Sequence, residues 1–199
     1  MVSMKSRSLF LLLCACGVAA LVSCPVSTPP DPDPQWTFDA GIEDWYLVPY
    51  AFPDNVNGRA TLSWSNTEGS PDAGSLQIVV RFDSTTEDIT VVVPFADLTT
   101  GTDLSGKKFT VQVMTSNCPA ADAWIFSNTG PDFDSALSSG VNLSTAAWAP
   151  QELDLTQPPP PYDPSDMRFL GVLIQGGAGV VAGTTYTFYI DTAVISDAP

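Results

Sequence analysis

Beyond residue 35 the apolar positions recur at every second residue in short runs, and no stretch holds a helical period for even three turns. Residues 59–65 set Ala60, Leu62 and Trp64 against Thr61, Ser63 and Ser65. Residues 76–82 place Leu76, Ile78, Val80 and Phe82 on one side, with Gln77, Val79 and Arg81 opposite. Residues 108–115 alternate Phe109, Val111 and Val113 with Thr110, Gln112 and Met114, while 89–93 is a continuous apolar run closed by Pro94. Segments 124–127, 151–155, 169–175 and 186–195 carry the same β-branched and aromatic signal. Between them lie turn clusters rich in Gly, Asp, Asn and Ser, such as 66–74 and 101–106. The spacing predicts an all-β domain of about eight to ten short strands, an antiparallel β-sandwich or jelly roll. The proline run 158–161 reads as a loop, because proline lacks the N–H a central strand needs.

The first residues follow a different logic. Lys5 and Arg7 precede a mostly apolar run, 9–22, that ends in Leu21-Val22-Ser23-Cys24. A charged start, an apolar stretch of about 7–15 residues and a small residue before cleavage make a secretory signal. A membrane-spanning helix would need about 20 apolar residues. Leu-Val-Ser-Cys resembles the bacterial lipobox, in which the cysteine takes lipid and becomes the mature N-terminus; an ordinary signal peptide is the alternative. The resemblance implies a signal peptide over 1–23, lipidation of Cys24, and a lipoprotein anchored to a membrane at the cell surface or in the periplasm. Half of the residues in 25–34 are proline, a semi-rigid spacer after the anchor. At about 3.1 Å per residue it would span roughly 30 Å. Residues 35–199 form the folded domain.

Composition narrows the chemistry. The 199-residue chain has no histidine, which excludes Ser-His-Asp and Cys-His nucleophiles, histidine metal sites and imidazole bases. A formal charge of −15, from 7 bases against 22 acids, argues against nucleic acid as a partner. Processing at Cys24 would remove Lys5 and Arg7 and leave 5 − 22 = −17. It would also leave Cys118 as the last cysteine, with no internal disulfide or thiolate cluster open to it, and no role is assigned to it.

Four ordered segments resemble the galactose-binding-like jelly rolls that include many bacterial carbohydrate-binding modules. These are residues 36–45 (Trp-Thr-Phe-Asp-Ala-Gly-Ile-Glu-Asp-Trp), 74–79 (Gly-Ser-Leu-Gln-Ile-Val) and 103–107 (Asp-Leu-Ser-Gly-Lys). The fourth is a closing set: 148–155, Phe169-Leu170-Gly171-Val172 and Tyr189-Ile190-Asp191-Thr192-Ala193-Val194. The resemblance implies a jelly-roll fold over 35–199 and non-catalytic binding of a poly- or oligosaccharide, by a chain expected to act as a monomer. It also implies one structural Ca2+ that ties the first strand to the last, with Asp39 and Asp191 at the matching positions. Calcium takes six to eight oxygens, so backbone carbonyls would complete the shell. Gly41 and Gly171 read as positions of close approach or positive φ, and Trp45 and Trp148 as core anchors.

Sugar binding needs aromatic faces and polar partners on the side of a sheet turned away from the core. Parity turns Arg81, Gln112, Leu173 and Gln175 outward, and the resemblance puts their strands in one sheet with Trp124. The expected concave site is therefore Trp124 with Gln112, Gln175 and Arg81. Trp124 has an alternative fate in the core, on one side with Phe126. Two rival functions remain: a surface β-sandwich that binds no sugar, and a jelly-roll glycoside hydrolase. The second needs paired carboxylates across a cleft. Glu43, Glu68, Glu87 and Glu152 lack that in-strand placement, so no enzyme is expected.

Overall fold

The computed structural model describes residues 35–48, 54–95, 100–156 and 161–199; the expected signal peptide, Cys24 and the proline-rich stretch lie outside the described residues. The described residues form two six-stranded antiparallel sheets and two 3-10 turns. The first sheet runs in the order β10 (Ala149–Asp154), β6 (Lys107–Thr115), β12 (Thr184–Asp197), β4 (Ser75–Phe82), β3 (Ala60–Ser65), with β1 (Gln35–Trp36) also on β12. The second runs β2 (Tyr46–Leu47), β5 (Asp88–Pro94), β11 (Met167–Gln175), β7 (Asp122–Thr129), β8 (Asp134–Leu137), with β9 (Val141–Asn142) also on β7. This is the expected all-β sandwich. The eight strands read from the sequence all occur, most of them a residue or two longer; β1, β2, β8 and β9 had given no signal, each being four residues or fewer.

The alternating rows close the core between the sheets. Leu76, Ile78, Val80 and Phe82 face inward from the first sheet with Phe109, Val111, Val113, Phe188 and Ile190. Ile89, Val91, Val93, Ala123, Ile125, Leu170, Val172 and Ile174 meet them from the second. Full burial of each large side chain contributes about 1.5–3 kcal/mol. One end is plugged by aromatics: Trp36 meets Trp45, Phe95 and Phe109 edge-on at 6.0–6.4 Å, and Phe38 meets Trp45 at 5.7 Å. Trp45 is therefore the core anchor expected of it. Trp148 is not: it is half-buried just before the edge strand β10.

The glycine expectations divide. At Gly171, β5 and β11 approach so closely that a Cβ would stand 2.7 Å from Val92 Cα and 2.8 Å from its Cγ1. Gly41 has open space and no positive φ; the turn takes its left-handed residues at Phe38, Glu43 and Asp44 instead. Cys118 is fully buried in the loop before β7, its Sγ 3.3 Å from the Gly176 carbonyl, and burial pushes the thiol up to about 11.

Candidate functional site

The chain changes sheets between most successive strands: β4 lies in the first, β5 in the second, β6 in the first, β7 in the second. This separates the expected site residues. Trp124 (β7) and Gln175 (β11) share the outer face of the second sheet, whereas Gln112 (β6) and Arg81 (β4) lie on the first sheet. Parity along a strand reports which face a residue takes, not which sheet the strand joins, so the four could not be grouped by it. On the first sheet Arg81 sits 3.5 Å from Asp83, and Gln112 lies opposite Asp191 and Pro150 on its neighbouring strands.

Around Trp124 the structure assembles something more apolar than expected. The register stacks three successive rows across the second sheet. Leu173 lies beside Thr90 and Trp124; Gly171 beside Val92 and Phe126; Phe169 beside Pro94 and Asn128. Tyr46 extends the middle row on one side and Leu137 on the other. Val92, Phe126, Phe169 and Leu173 pack into a second apolar cluster, separate from the core, with Tyr46, Val48 and Trp124 against it. Phe133, 44% exposed, stacks on Phe169 with centroids 5.9 Å apart, and Tyr46 meets Phe169 edge-on at 6.4 Å. Leu137 is 50% exposed. At the middle of the β11 row the bare Gly171 leaves its space to Val92, whose Cγ1 packs there between Phe169 and Leu173. Trp124 is not in the core, the alternative fate: it does share a side with Phe126, but that side faces away from the core.

Polar groups close both ends of this strip. At one end, Asp88, Gln175 and Asp122 form a row across β5, β11 and β7. Asn55 donates to Asp88 Oδ1 at 3.1 Å, Gln175 Nε2 donates to the Thr86 carbonyl at 3.0 Å, and Asn142 donates to Asp122 Oδ1 at 3.2 Å. Burial holds the Asp88 carboxyl above its usual range, against the Asn55 hydrogen bond and with help from the Asp54 charge. At the other end Asn128 donates to the Phe133 carbonyl at 2.8 Å and to Ser135 Oγ at 2.7 Å. Along the β5 edge, Asn57 binds the backbone of Thr90 in both directions and donates to the Val48 carbonyl. The signal that could have found the strip was present: 169–174 throughout, and 89–93 apart from Thr90, are apolar on both parities, as central strands covered on both faces are.

The two calcium candidates lie near the junction of β1 and β12, close enough for Asp191 to feel the Asp39 charge. Asp191 is buried, its Oδ2 accepting from Ser70 N at 2.5 Å and Oδ1 from Thr192 N at 2.6 Å. Asp39 accepts from Thr37 Oγ1 at 2.8 Å. Burial raises Asp191 above the usual carboxylate range despite those N–H donors, and the Asp39 and Asp72 charges add to it. Glu43 joins them; burial raises it too, and it feels both Asp39 and Asp191. These are oxygen donors of the kind calcium takes. Among the described residues, however, no three His, Cys, Asp or Glu side chains converge as a ready metal cage.

No family model matches the sequence, and no curated protein matches it. Solved structures do. The CBM22-1 xylan-binding domain of Paenibacillus barcinonensis Xyn10C superposes with TM-score 0.56 and 10% identity, covering 83% of this chain and 94% of that one. The C-terminal family 22 carbohydrate-binding module of Clostridium thermocellum Xyn10B gives 0.57 and 14%, covering 86% and 98%. A Clostridium thermocellum xylanase 10B chain with CBM22-1 and GH10 modules, complexed with xylohexaose, gives 0.58 and 9%; this chain covers only 29% of its length, and 26% of a similar exo-β-agarase. The sandwich is thus similar in fold to those carbohydrate-binding modules. At these identities the likeness carries the fold.

Proposed function

We propose that the domain binds a polysaccharide, without cleaving it, on the outer face of the second sheet. The observation that carries this reading is the aromatic strip of Tyr46, Trp124, Phe133 and Phe169 on one sheet face, edged by amides and carboxylates. Aromatic faces cover the apolar face of a pyranose ring, and hydroxyls take the polar contacts. Gln175 belongs to the site's polar end, while Arg81 and Gln112 are left out of it. A hydrolase would need a free acid–base pair facing the ring. Asp88 and Asp122 are instead each tied to an asparagine, which supports the binding reading.

The deciding experiment is Trp124→Ala in affinity electrophoresis. Retention by polysaccharide should be largely lost while the melting temperature stays near that of the wild type. A Trp at the centre of a core would cost about 3–5 kcal/mol on truncation. Marked destabilisation with unchanged retention would overturn the assignment, and release of reducing sugar by the wild type would make the protein an enzyme.

The lipobox-like Leu21-Val22-Ser23-Cys24 and the proline spacer behind it support a membrane-anchored lipoprotein that presents this domain at the surface or in the periplasm. Cys24→Ser should abolish acylation and detergent partitioning in a bacterial host. Wild-type protein with no acyl mass would refute the anchor. A structural Ca2+ at Asp39 and Asp191 belongs to the same reading, supported by the buried carboxylate at the junction of the first and last strands.

A further inference from the structure

Gly140 lies outside every expectation drawn from the sequence, and its position explains how the Trp124 ring is held. The chain from β8 to β9 follows β7 along its length, pairing Leu137 with Phe126 and, further on, Val141 with Ala123. Between those pairs β7 has two residues, Trp124 and Ile125, and the opposite chain has three, 138–140. One extra residue against a strand is a bulge, a device that locally bends the chain and re-aims a side chain. Ser138 anchors its near side through two bonds with Ile125: Ser138 N donates to Ile125 O at 3.0 Å, and Ile125 N donates to the Ser138 hydroxyl Oγ at 2.9 Å. The remaining residues then carry the chain across Trp124. A Cβ built on Gly140 would stand 2.6 Å from Trp124 Cε2 and 3.1 Å from Cδ1, and closer still to Nε1. Gly140 is exposed and its φ is not left-handed, so neither a buried contact nor backbone strain accounts for glycine here. The indole does.

We infer that Gly140 is the positioning residue of the Trp124 platform: the bulge lays a bare backbone against the pyrrole edge and fixes the ring's tilt on the sheet. The inference rests on the glycan-binding reading, in which that ring stacks on a sugar. Any side chain at 140 must push the indole aside, and the stacking geometry goes with it.

The test is Gly140→Ala, with Gly140→Val as a graded second variant, each made also in a Trp124→Phe background. Affinity electrophoresis should show Gly140→Ala weakening polysaccharide retention by about two- to tenfold, the worth of one aromatic stacking contact. Its melting temperature should match the wild type, and its near-UV circular dichroism should change. In the Trp124→Phe background the same substitution should alter neither retention nor the spectrum, since the coupling runs through the indole. Unchanged retention and spectrum in Gly140→Ala would overturn the inference, as would an equal loss of retention in both backgrounds. If the wild type retains no polysaccharide at all, the binding reading falls and the platform role with it; the spectral comparison between backgrounds separates that failure from a failure of the Gly140–indole contact.

Discussion

Two tryptophans show how position decides what one side chain does. Trp45 is 1% exposed and wedged between Trp36 and Phe38, so its area stabilises the fold. Trp124 is half-buried on the second-sheet cluster, outside the core, so part of its area stays exposed and is what the proposed binding reading uses. Asp88 is the residue-scale counterpart among the acids. It is buried at the polar end of the strip, and burial raises its carboxyl above the ordinary 3.8, with Asp54 adding charge and Asn55 partly offsetting both. A carboxyl whose folded value exceeds its unfolded value binds more protons in the native state. Its ionisation therefore opposes folding, and stability falls as pH rises from about 3.8 through the raised value. Asp88→Asn removes the ionisation while keeping the shape and an oxygen for Asn55 Nδ2. We expect this variant to melt higher than the wild type at neutral pH, with the gap shrinking as pH approaches 4. Parallel melting curves across that range would show that Asp88 is not the group responsible.

At the scale of elements, the first and last strands meet where β12 changes register between Asp191 and Val194, and β1 pairs with Ala193 and Val194 there. β1 is two residues long, so ladder bonds alone hold it weakly, and a cation shared by Asp39 and Asp191 would secure it. An ion that binds only the folded state stabilises it by RT ln(1 + [L]/Kd), about 2.7 kcal/mol at one hundred times Kd. Chelator should lower the melting temperature of the wild type, and Asp191→Ala should melt lower still and lose the response to chelator. A curve indifferent to chelator would remove the ion from the description. The long strands were legible because alternation over six or more residues leaves one parity solution: Leu76 to Phe82 and Phe109 to Val113 face the core as their pattern requires. Short β2 and β8 carry Tyr46 and Leu137 into the strip, yet two to four residues hold no periodic signal. Nor does alternation encode the passage between sheets; only the family resemblance groups Arg81 and Gln112 with Trp124, and the strand order separates them. Phe133 reaches the strip from the turn before β8, a position no strand pattern describes.

For the whole molecule the governing fact is charge: −15 over the full chain, with only five of its bases beyond residue 24. Each of those five has a carboxylate partner. Arg59 pairs with Asp83 and Glu87, Arg81 with Asp83, Lys107 with Asp197, Lys108 with Glu152 and Arg168 with Asp166. Arg81, Lys107 and Lys108 belong to the first sheet, and Arg168, on β11, is 4% exposed. The strip on the second sheet thus offers rings, amides and the carboxylates Asp88 and Asp122, with its positive charges neutralised or elsewhere. A polyuronate would bring a line of carboxylates against a surface of the same sign, whose field reaches about 8 Å at physiological ionic strength. A neutral polysaccharide meets no such barrier, and its binding, carried by stacking and hydrogen bonds, should respond little to salt. In affinity gels run at about 0.01 M and about 1 M salt, where the screening length falls from about 30 Å to about 3 Å, we expect equal retention by a neutral glycan. We expect none by a polyuronate at the lower salt. Leu137→Arg, which places an unpaired base at the strip's exposed rim, should bring polyuronate retention at low salt and lose it at high salt. Retention of a polyuronate by the wild type that weakens with added salt would mean that a positive surface outside these ion pairs governs recognition, and the neutral-ligand assignment would be wrong.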